Sequence, residues 1–396
     1  MQYRKLQANR IFNGFHWLKA EEVLILEPDG IIKDIVSKQD AGEGIEQLSG
    51  ILTPGFINCH CHLELSHLKN TVPEQTGLVD FLLAVIKKRS APLEEIFEHI
   101  AAAEKEMYEN GIVAVADISN TDHAFQIKKE SQLLWHHLIE VINLHDENLE
   151  KNLAHFNFIL EQYKKQETLY STTSLTPHAP YSVSSATLEA LNNSTANSII
   201  SIHNQETGAE NDLFKNGHGE FLKLFAALGE PGSPFEVGGK TSLQTWLPNF
   251  TNAQTILLVH NTFISEEDIL FAKAHAEKYG LQLIYCLCPN ANLYIENRLP
   301  PLDLLLKYDC KIVFGTDSYS SNWQLNIASE IKTINHYFPK LSLQTILQWA
   351  TKNGAEALRF SSLLGSLEKG KKPGVVLLET DPLNENFITG KSTRIA

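Results

Sequence analysis

The sequence predicts an α/β fold: a (β/α)8 TIM barrel with a small β-sandwich domain formed by the N- and C-terminal segments. Three observations predict it. Short β-branched or apolar runs alternate with longer helical patterns from about residue 51 to residue 360, a hairpin-like pair of runs precedes them, and a strand pattern without a partner helix follows them.

The hairpin comes first. Residues 23–26 and 31–36 flank Glu27-Pro28-Asp29-Gly30, whose proline and Asp-Gly pair suit a tight turn. The expected barrel strands are residues 55–60, 112–118, 138–142, 170–175, 198–202, 255–259, 281–286 and 311–314. Eight is the number such a barrel needs. Between the first two strands, Leu78, Phe81, Leu82, Val85 and Ile86 fall at i, i+3, i+4, i+7 and i+8, one apolar stripe of a helix. A second helix is expected from just after Pro92 to the stop pair Asn110-Gly111. Near the end, Gly370-Lys371-Lys372-Pro373-Gly374 leads into Val375-Val376-Leu377-Leu378, again a strand pattern. Residues 1–53 and 364–396 are therefore expected to combine into the discontinuous β domain, with residues 54–363 as the inserted barrel.

Composition narrows the function. A chain of 396 residues, 43% hydrophobic and 20% charged, has ample material for a large core. Its formal charge of −14 comes without the clustered Lys and Arg that a nucleic-acid or anionic-membrane partner requires, which points to a small-molecule substrate. Basic residues near the N-terminus are not followed by an apolar stretch of signal-peptide length, and no run of about 18 apolar residues occurs, so a cytoplasmic location is expected. The five cysteines, Cys59, Cys61, Cys286, Cys288 and Cys310, are an odd number without an export signal and read as reduced thiols. An all-cysteine zinc site from the two Cys-x-Cys pairs is the weaker alternative, because structural zinc sites favour wider spacings and better ligands lie beside them.

Those ligands fall at strand ends. His60 and His62 close the first expected strand, His178 follows the fourth, His203 and His260 follow the fifth and sixth, and Asp317 follows the eighth. Parallel barrel strands point their C-terminal ends to one face, so these residues meet in one ring. Alternation along a strand lets His60 and His62 project together while Cys59 and Cys61 turn away. His203 and Asp317 complete a set of three nitrogens and one oxygen, which suits one divalent metal, Zn2+ first and Fe2+ second. A lone histidine is usually a surface or satisfied core residue. Several at strand ends are not a chance placement. Glu206, three residues after His203, stands where a turn aims its carboxylate at a substrate beside the metal. His260 has no partner ligand on its own strand and suits orienting water or stabilising an adduct.

The blocks Pro54-Gly55-Phe56-Ile57-Asn58-Cys59-His60-Cys61-His62, His203-Asn204-Gln205-Glu206, Leu258-Val259-His260-Asn261 and Gly315-Thr316-Asp317-Ser318 resemble the amidohydrolase superfamily, in its branch of cytosine, guanine and adenosyl-type deaminases and related chlorohydrolases. The resemblance spans nearly the whole chain and is specific as a set, although each motif alone is weak. It implies that His60, His62, His203 and Asp317 bind the metal, that Glu206 shuttles protons, that His260 assists the attacking water, and that a homodimer is the usual state. Leu63-Glu64-Leu65-Ser66 and Pro177-His178-Ala179-Pro180-Tyr181-Ser182 are more similar to aminodeoxyfutalosine deaminases than to guanine deaminases, which implies substrate-binding roles for Glu64 and His178. For both, an ordinary place on a loop is the alternative. Ala291 ahead of Asn292 departs from the Ser-Asn pair common in the family, as Pro373-Gly374-Val375 departs from Ala-Asp-Leu.

The expected reaction is hydrolytic deamination of an aminated N-heterocycle of purine or nucleoside type. Metal binding lowers the pKa of water from about 15.7 to about 7, Glu206 protonates the ring nitrogen and Asp317 carries the water's proton. Amide, lactam or chloro-heterocycle hydrolysis is the rival. Its amide branch often uses two metals bridged by a carboxylated lysine on the fourth strand, and residues 170–175 contain no Lys. The unrelated zinc deaminase fold needs P-C-x-x-C, which is absent from the sequence. A non-catalytic binding protein is the third class, disfavoured because all four ligands and the acid are retained.

Overall fold

In the computed structural model, which describes residues 3–165, 167 and 171–396, both ends of the chain build one sheet. Its strands are β1 (Arg4–Ile11), β2 (Glu22–Leu26), β3 (Ile32–Ser37) and β4 (Ile45–Pro54) from the N-terminal side. After the barrel strands, β5 to β12, come β13 (Val375–Asp381) and β14 (Asn384–Arg394). The order is β14-β13-β4-β1-β2-β3. The expected hairpin is the antiparallel pair β2 and β3, and the expected late strand is β13. The small β unit expected as a sandwich is one continuous hydrogen-bonded sheet, because the ten-residue β4 pairs with β1 on one side and with β13 on the other. Leu6, Leu24, Leu26, Ile32, Leu52 and Val375 form its buried face. The strand that leads into the barrel, β4, is thereby anchored by a segment more than 300 residues later.

Eight parallel strands follow: β5 (Phe56–Cys61), β6 (Ile112–Ser119), β7 (Leu134–Val141), β8 (Thr172–Pro177), β9 (Ile199–Asn204), β10 (Thr255–His260), β11 (Gln282–Leu287) and β12 (Ile312–Phe314). They form two four-stranded ladders, β5 to β8 and β9 to β12. Side chains help to close the two seams between them. At β8–β9, Ser201 N donates to Thr176 Oγ1 at 2.6 Å and Ser174 Oγ donates to the Ile199 carbonyl at 2.5 Å. Between β5 and the segment after β12, the amides of Thr316 and Asp317 both donate to the His60 carbonyl at 3.0 Å. Asn58 completes that seam, donating to Thr316 Oγ1 at 2.8 Å and accepting from Thr316 N at 3.1 Å. Two candidate metal ligands thus sit on the backbone that closes the barrel.

All eight expected strands are present, with shifted ends. Tyr170, the start of the fourth, lies outside the described residues. β7 begins four residues before its expected start because His136 and His137 extend it in spite of their polarity. Neighbouring hydroxyls partner one nitrogen of each: His136 Nε2 lies 3.1 Å from Ser174 Oγ, and His137 Nε2 lies 3.1 Å from Ser171 Oγ. Both expected helices form, over Leu78–Lys88 and Leu93–Glu109. No helix among the described residues is long and apolar enough to cross a membrane.

Packing behind the ligands is tight at Gly315, where an added Cβ would stand 2.7 Å from His60 Cβ, 2.9 Å from Cys288 Sγ and 3.0 Å from Cys286 Sγ. The strand carrying His60 would have to move. Gly315→Ala is therefore expected to lower unfolding free energy by about 1–3 kcal/mol and to weaken metal retention. Urea denaturation with metal analysis checks this; a variant with wild-type stability and metal content would show that the site tolerates the methyl group.

Candidate metal centre and active site

His60, His62, His203 and Asp317 come together as expected, each offering a ligand atom within 4.8 Å of the others. His62 Nε2 lies 3.1 Å from His60 Nε2 and 3.2 Å from His203 Nε2, and Asp317 Oδ1 is 3.7 Å from His60 Nε2 and 3.5 Å from His62 Nε2. The pairing of β5 with β6 is irregular between Asn58 and Cys61, so the ladder does not run evenly through the His-x-His stretch. The two imidazoles converge nonetheless. Cys59 and Cys61 do not join them and pack in two separate apolar clusters.

The donor set fits a divalent cation. His203 Nδ1 donates to the His178 carbonyl at 2.8 Å, which fixes Nε2 as the lone-pair nitrogen facing the cluster. Burial pushes the pKa of His60, His62 and His203 below the ordinary imidazole value, and neighbouring histidines push further the same way. Neutral rings offer lone pairs, not protons. Burial works to raise the Asp317 pKa, but His62, His260, His203 and the Ser321 hydroxyl together hold it below the ordinary carboxylate value. Ser321 Oγ donates to Asp317 Oδ2 at 2.6 Å and leaves Oδ1 towards the histidines.

Glu206 and His260 stand beside this cluster, with Glu206 Oε1 3.4 Å from His260 Nε2. The turn that aims Glu206 is held by Glu210, whose carboxylate accepts from Gln205 N at 3.0 Å and from Glu206 N at 3.3 Å. Burial, reinforced by Asp317, Glu210 and Glu296, raises the Glu206 pKa well above the ordinary value and favours its protonated form. Asn292, whose motif departs from the family pattern, donates to Thr262 Oγ1 at 2.6 Å and to His260 Nδ1 at 3.3 Å. That amide orientation makes His260 Nε2 an N–H donor at the site. Backbone strain gathers here too. Gln205, His260, Asn261 and Asp317 all have positive φ, between 46° and 71°. Each costs about 1–2 kcal/mol for an L-residue.

A cavity of about 250 Å3 opens over the cluster, lined by His62, His178, His203, Glu206 and Asp317. The apolar stripe of the Leu78–Lys88 helix faces it, so Leu82, Val85 and Ile86 serve as pocket wall. His178 lies on the wall as expected, its ring 4.9 Å from that of His203. Glu64 does not. Its oxygens accept from Asn120 N at 3.0 Å, Thr121 N at 3.2 Å and Thr121 Oγ1 at 2.8 Å, so it clamps the loop after β6. Beneath it, Asp117 accepts from Leu63 N at 2.8 Å and pairs with the buried Lys128 at 2.5 Å, which fixes the chain immediately after His62. Sequence reasoning missed Glu140, a buried carboxylate on the cavity wall. The available signal was one charge inside Leu138-Ile139-Glu140-Val141-Ile142, an otherwise apolar strand.

Residues 51–396 match the Amidohydrolase family. The chain is 27% identical over 368 residues to an aminodeoxyfutalosine deaminase from a Nitratiruptor species, covering 89% of this chain and 85% of that one. Among solved structures it is similar to Helicobacter pylori aminofutalosine deaminase in complex with methylthio-coformycin, with a TM-score of 0.80, 21% identity, and 97% and 94% of the two chains covered. An adenosine deaminase from Xanthomonas campestris with bound zinc has a TM-score of 0.73 at 20% identity, covering 96% of this chain and 85% of that one. At these identities the structural likeness concerns the fold.

Metal analysis of the purified chain is expected to give one equivalent of divalent metal, removed by a strong chelator with a fall in Tm, since ligand bound only to the native state stabilises it. His203→Ala should lose the metal while the wild type retains it. Two tightly bound equivalents per chain would contradict the single cluster.

Proposed function

Because the chain belongs to the amidohydrolase family, we propose that it hydrolytically deaminates an amino-bearing N-heterocycle of purine-nucleoside type and releases ammonia. One observation carries the proposal: a buried carboxyl with a raised pKa, Glu206, lies 3.4 Å from His260 Nε2 and lines the cavity over the four-ligand cluster. The names of similar proteins, an aminodeoxyfutalosine deaminase and an adenosine deaminase, support the substrate class. The apolar wall, which suits a flat heterocycle, supports it as well.

His60, His62, His203 and Asp317 would hold the metal, and Zn2+ is the proposed ion because three imidazoles and a carboxylate suit it. The bound ion supplies Lewis acidity that makes water a nucleophile near neutral pH. Everything else falls to the chain. Asp317 Oδ1 takes a proton from the attacking water, while Ser321 keeps the other oxygen occupied. Glu206 delivers its proton to the ring nitrogen next to the attacked carbon, which turns that carbon into an electrophile. His260 Nε2–H donates to the oxygen that gains charge as the C–O bond forms, and Asn292 preserves the required tautomer. The C–N bond then breaks, the proton held by Asp317 leaves with the amine as ammonia, and the remaining proton on the new hydroxyl returns to Glu206 as the carbonyl forms. β8, Thr172–Pro177, carries no lysine, which argues against the two-metal amide-hydrolysing arrangement.

Glu206→Gln is expected to keep its metal and lose at least about a hundredfold in ammonia release from adenosine-type nucleosides or aminodeoxyfutalosine. Retained turnover would remove Glu206 from the mechanism. No ammonia from the metal-loaded wild type with cytosine, guanine, adenosine-type nucleosides or aminodeoxyfutalosine would contradict deamination.

A further inference from the structure

Glu140 ends the third barrel strand with one carboxylate oxygen committed and the other free. Oε2 accepts from Asn120 Nδ2 at 3.0 Å, whereas Oε1 is buried and has no hydrogen-bond partner. Leaving such an oxygen unpaired is costly. The closest histidine nitrogen, His203 Nδ1, stands 3.9 Å away and is already spent on the His178 carbonyl. Glu140 lines the same cavity as Glu206, so a ligand is left to supply the missing donor.

His178 provides a second acceptor nearby. Its Nδ1 lies 2.6 Å from Ser182 Oγ, and Ser182 Oγ donates to the Ala179 carbonyl at 3.0 Å. With the single hydroxyl proton given to the Ala179 carbonyl, His178 Nδ1 is the donor and Nε2 the unprotonated nitrogen. Glu140, His178 and His203 each have an oxygen or nitrogen within 4.8 Å of the others. They do not make a second metal site, because the His203 nitrogen nearest Glu140 carries a proton. Two acceptors remain, and two donors on one ligand would satisfy them.

Charge separates the two chemistries that offer such donors, an ammonium group and a pair of neighbouring hydroxyls. Burial is the main influence on both residues, raising the pKa of Glu140 and lowering that of His178, and the positive charge of Arg89 acts on each as well. Arg89 lines the cavity, and the cation expected at the four ligands adds charge of the same sign. A cationic group would meet both. A neutral diol meets neither and still donates twice.

We propose that Glu140 and His178 receive the vicinal hydroxyls of a ribosyl group, so that the substrate class is a ribonucleoside and not a free base. The proposal rests on the deaminase reading and adds the recognition of the sugar to it. The reacting ring would lie over the metal cluster, with its sugar turned towards the end of the third strand.

The test uses the metal-loaded full chain and two nucleosides that carry no amino group to lose. Inosine and 2′,3′-dideoxyinosine are titrated calorimetrically into the wild type, Glu140→Gln and Ser182→Ala, while ammonia release from adenosine is followed separately. The wild type should bind inosine at least about tenfold more tightly than the dideoxy analogue, as expected for two hydrogen bonds to buried acceptors that otherwise stay unpaired. In Glu140→Gln, with metal content unchanged, that ratio should fall below about threefold, because the amide can serve Asn120 only by presenting its NH2 to the sugar. Ser182→Ala leaves Glu140 untouched and should narrow the ratio by releasing the His178 tautomer. Equal wild-type affinities, a ratio that survives Glu140→Gln, or no binding of either nucleoside would overturn the proposal. A ratio unchanged in Ser182→Ala would overturn the part given to His178. Absent ammonia release with the ratio intact would count against deamination and leave the sugar subsite standing.

Discussion

The convergence of His60, His62 and His203 on one point is the constraint around which the rest of this molecule is arranged. Their Nε2 atoms meet at 3.1 and 3.2 Å, and that of His203 bears a lone pair because its Nδ1 donates to the His178 carbonyl. A divalent cation at that point would be ligated by all three rings, and the fold is organised to present them. The His60 carbonyl accepts the amides of Thr316 and Asp317, so the bond that closes the barrel also brings the carboxylate ligand to the histidines. His203 is oriented by the carbonyl of His178, and the chain after His62 is fixed by Asp117 and the buried Lys128. Positive φ at Gln205, His260, Asn261 and Asp317 is the conformational cost of turning these strand ends inward.

Around that centre, two carboxyl groups have opposite states for a physical reason. Asp317 lies among imidazoles and is held towards its charged form, while Glu206, surrounded by Asp317, Glu210 and Glu296, is held towards its neutral form. Environments that separate the pKa values of two neighbouring acids are how one site obtains a base and an acid together. Glu140 is a third carboxyl in the same cavity, anchored through one oxygen by Asn120. The apolar stripe of the Leu78–Lys88 helix has a related double use: Leu78 and Phe81 are buried, and the whole stripe borders the cavity.

The barrel and the metal ligands were legible in the sequence because both rest on local pattern. Apolar runs at regular intervals mark strands, and histidines at the ends of those runs mark a shared face. The start of β7 was hidden because His136 and His137 look unlike a buried strand until Ser174 and Ser171, on the neighbouring segment, are seen to partner an Nε2 each. Asn292 and Glu140 were hidden for a similar reason, since what matters about each is a contact with a residue distant in sequence, His260 and Asn120 respectively. Glu64 shows the converse. Its sequence neighbourhood suggested substrate binding, yet two backbone amides and a hydroxyl of the loop after β6 take up its oxygens. The joining of both termini was expected from strand patterns without partner helices, but that β4 and β13 are the strands that pair is a contact across the whole barrel, which no local pattern encodes.

Four buried thiols lie close to this site without joining it: Cys59, Cys61, Cys286 and Cys288. X-ray absorption at the edge of the metal bound to this chain therefore tests the central claim most directly. A shell of nitrogen and oxygen scatterers at about 2.0–2.2 Å, with the multiple-scattering signature of three imidazoles, is the predicted result. A sulfur scatterer at about 2.3 Å would contradict it, because the cation would then be held by the cysteines and not by His60, His62, His203 and Asp317.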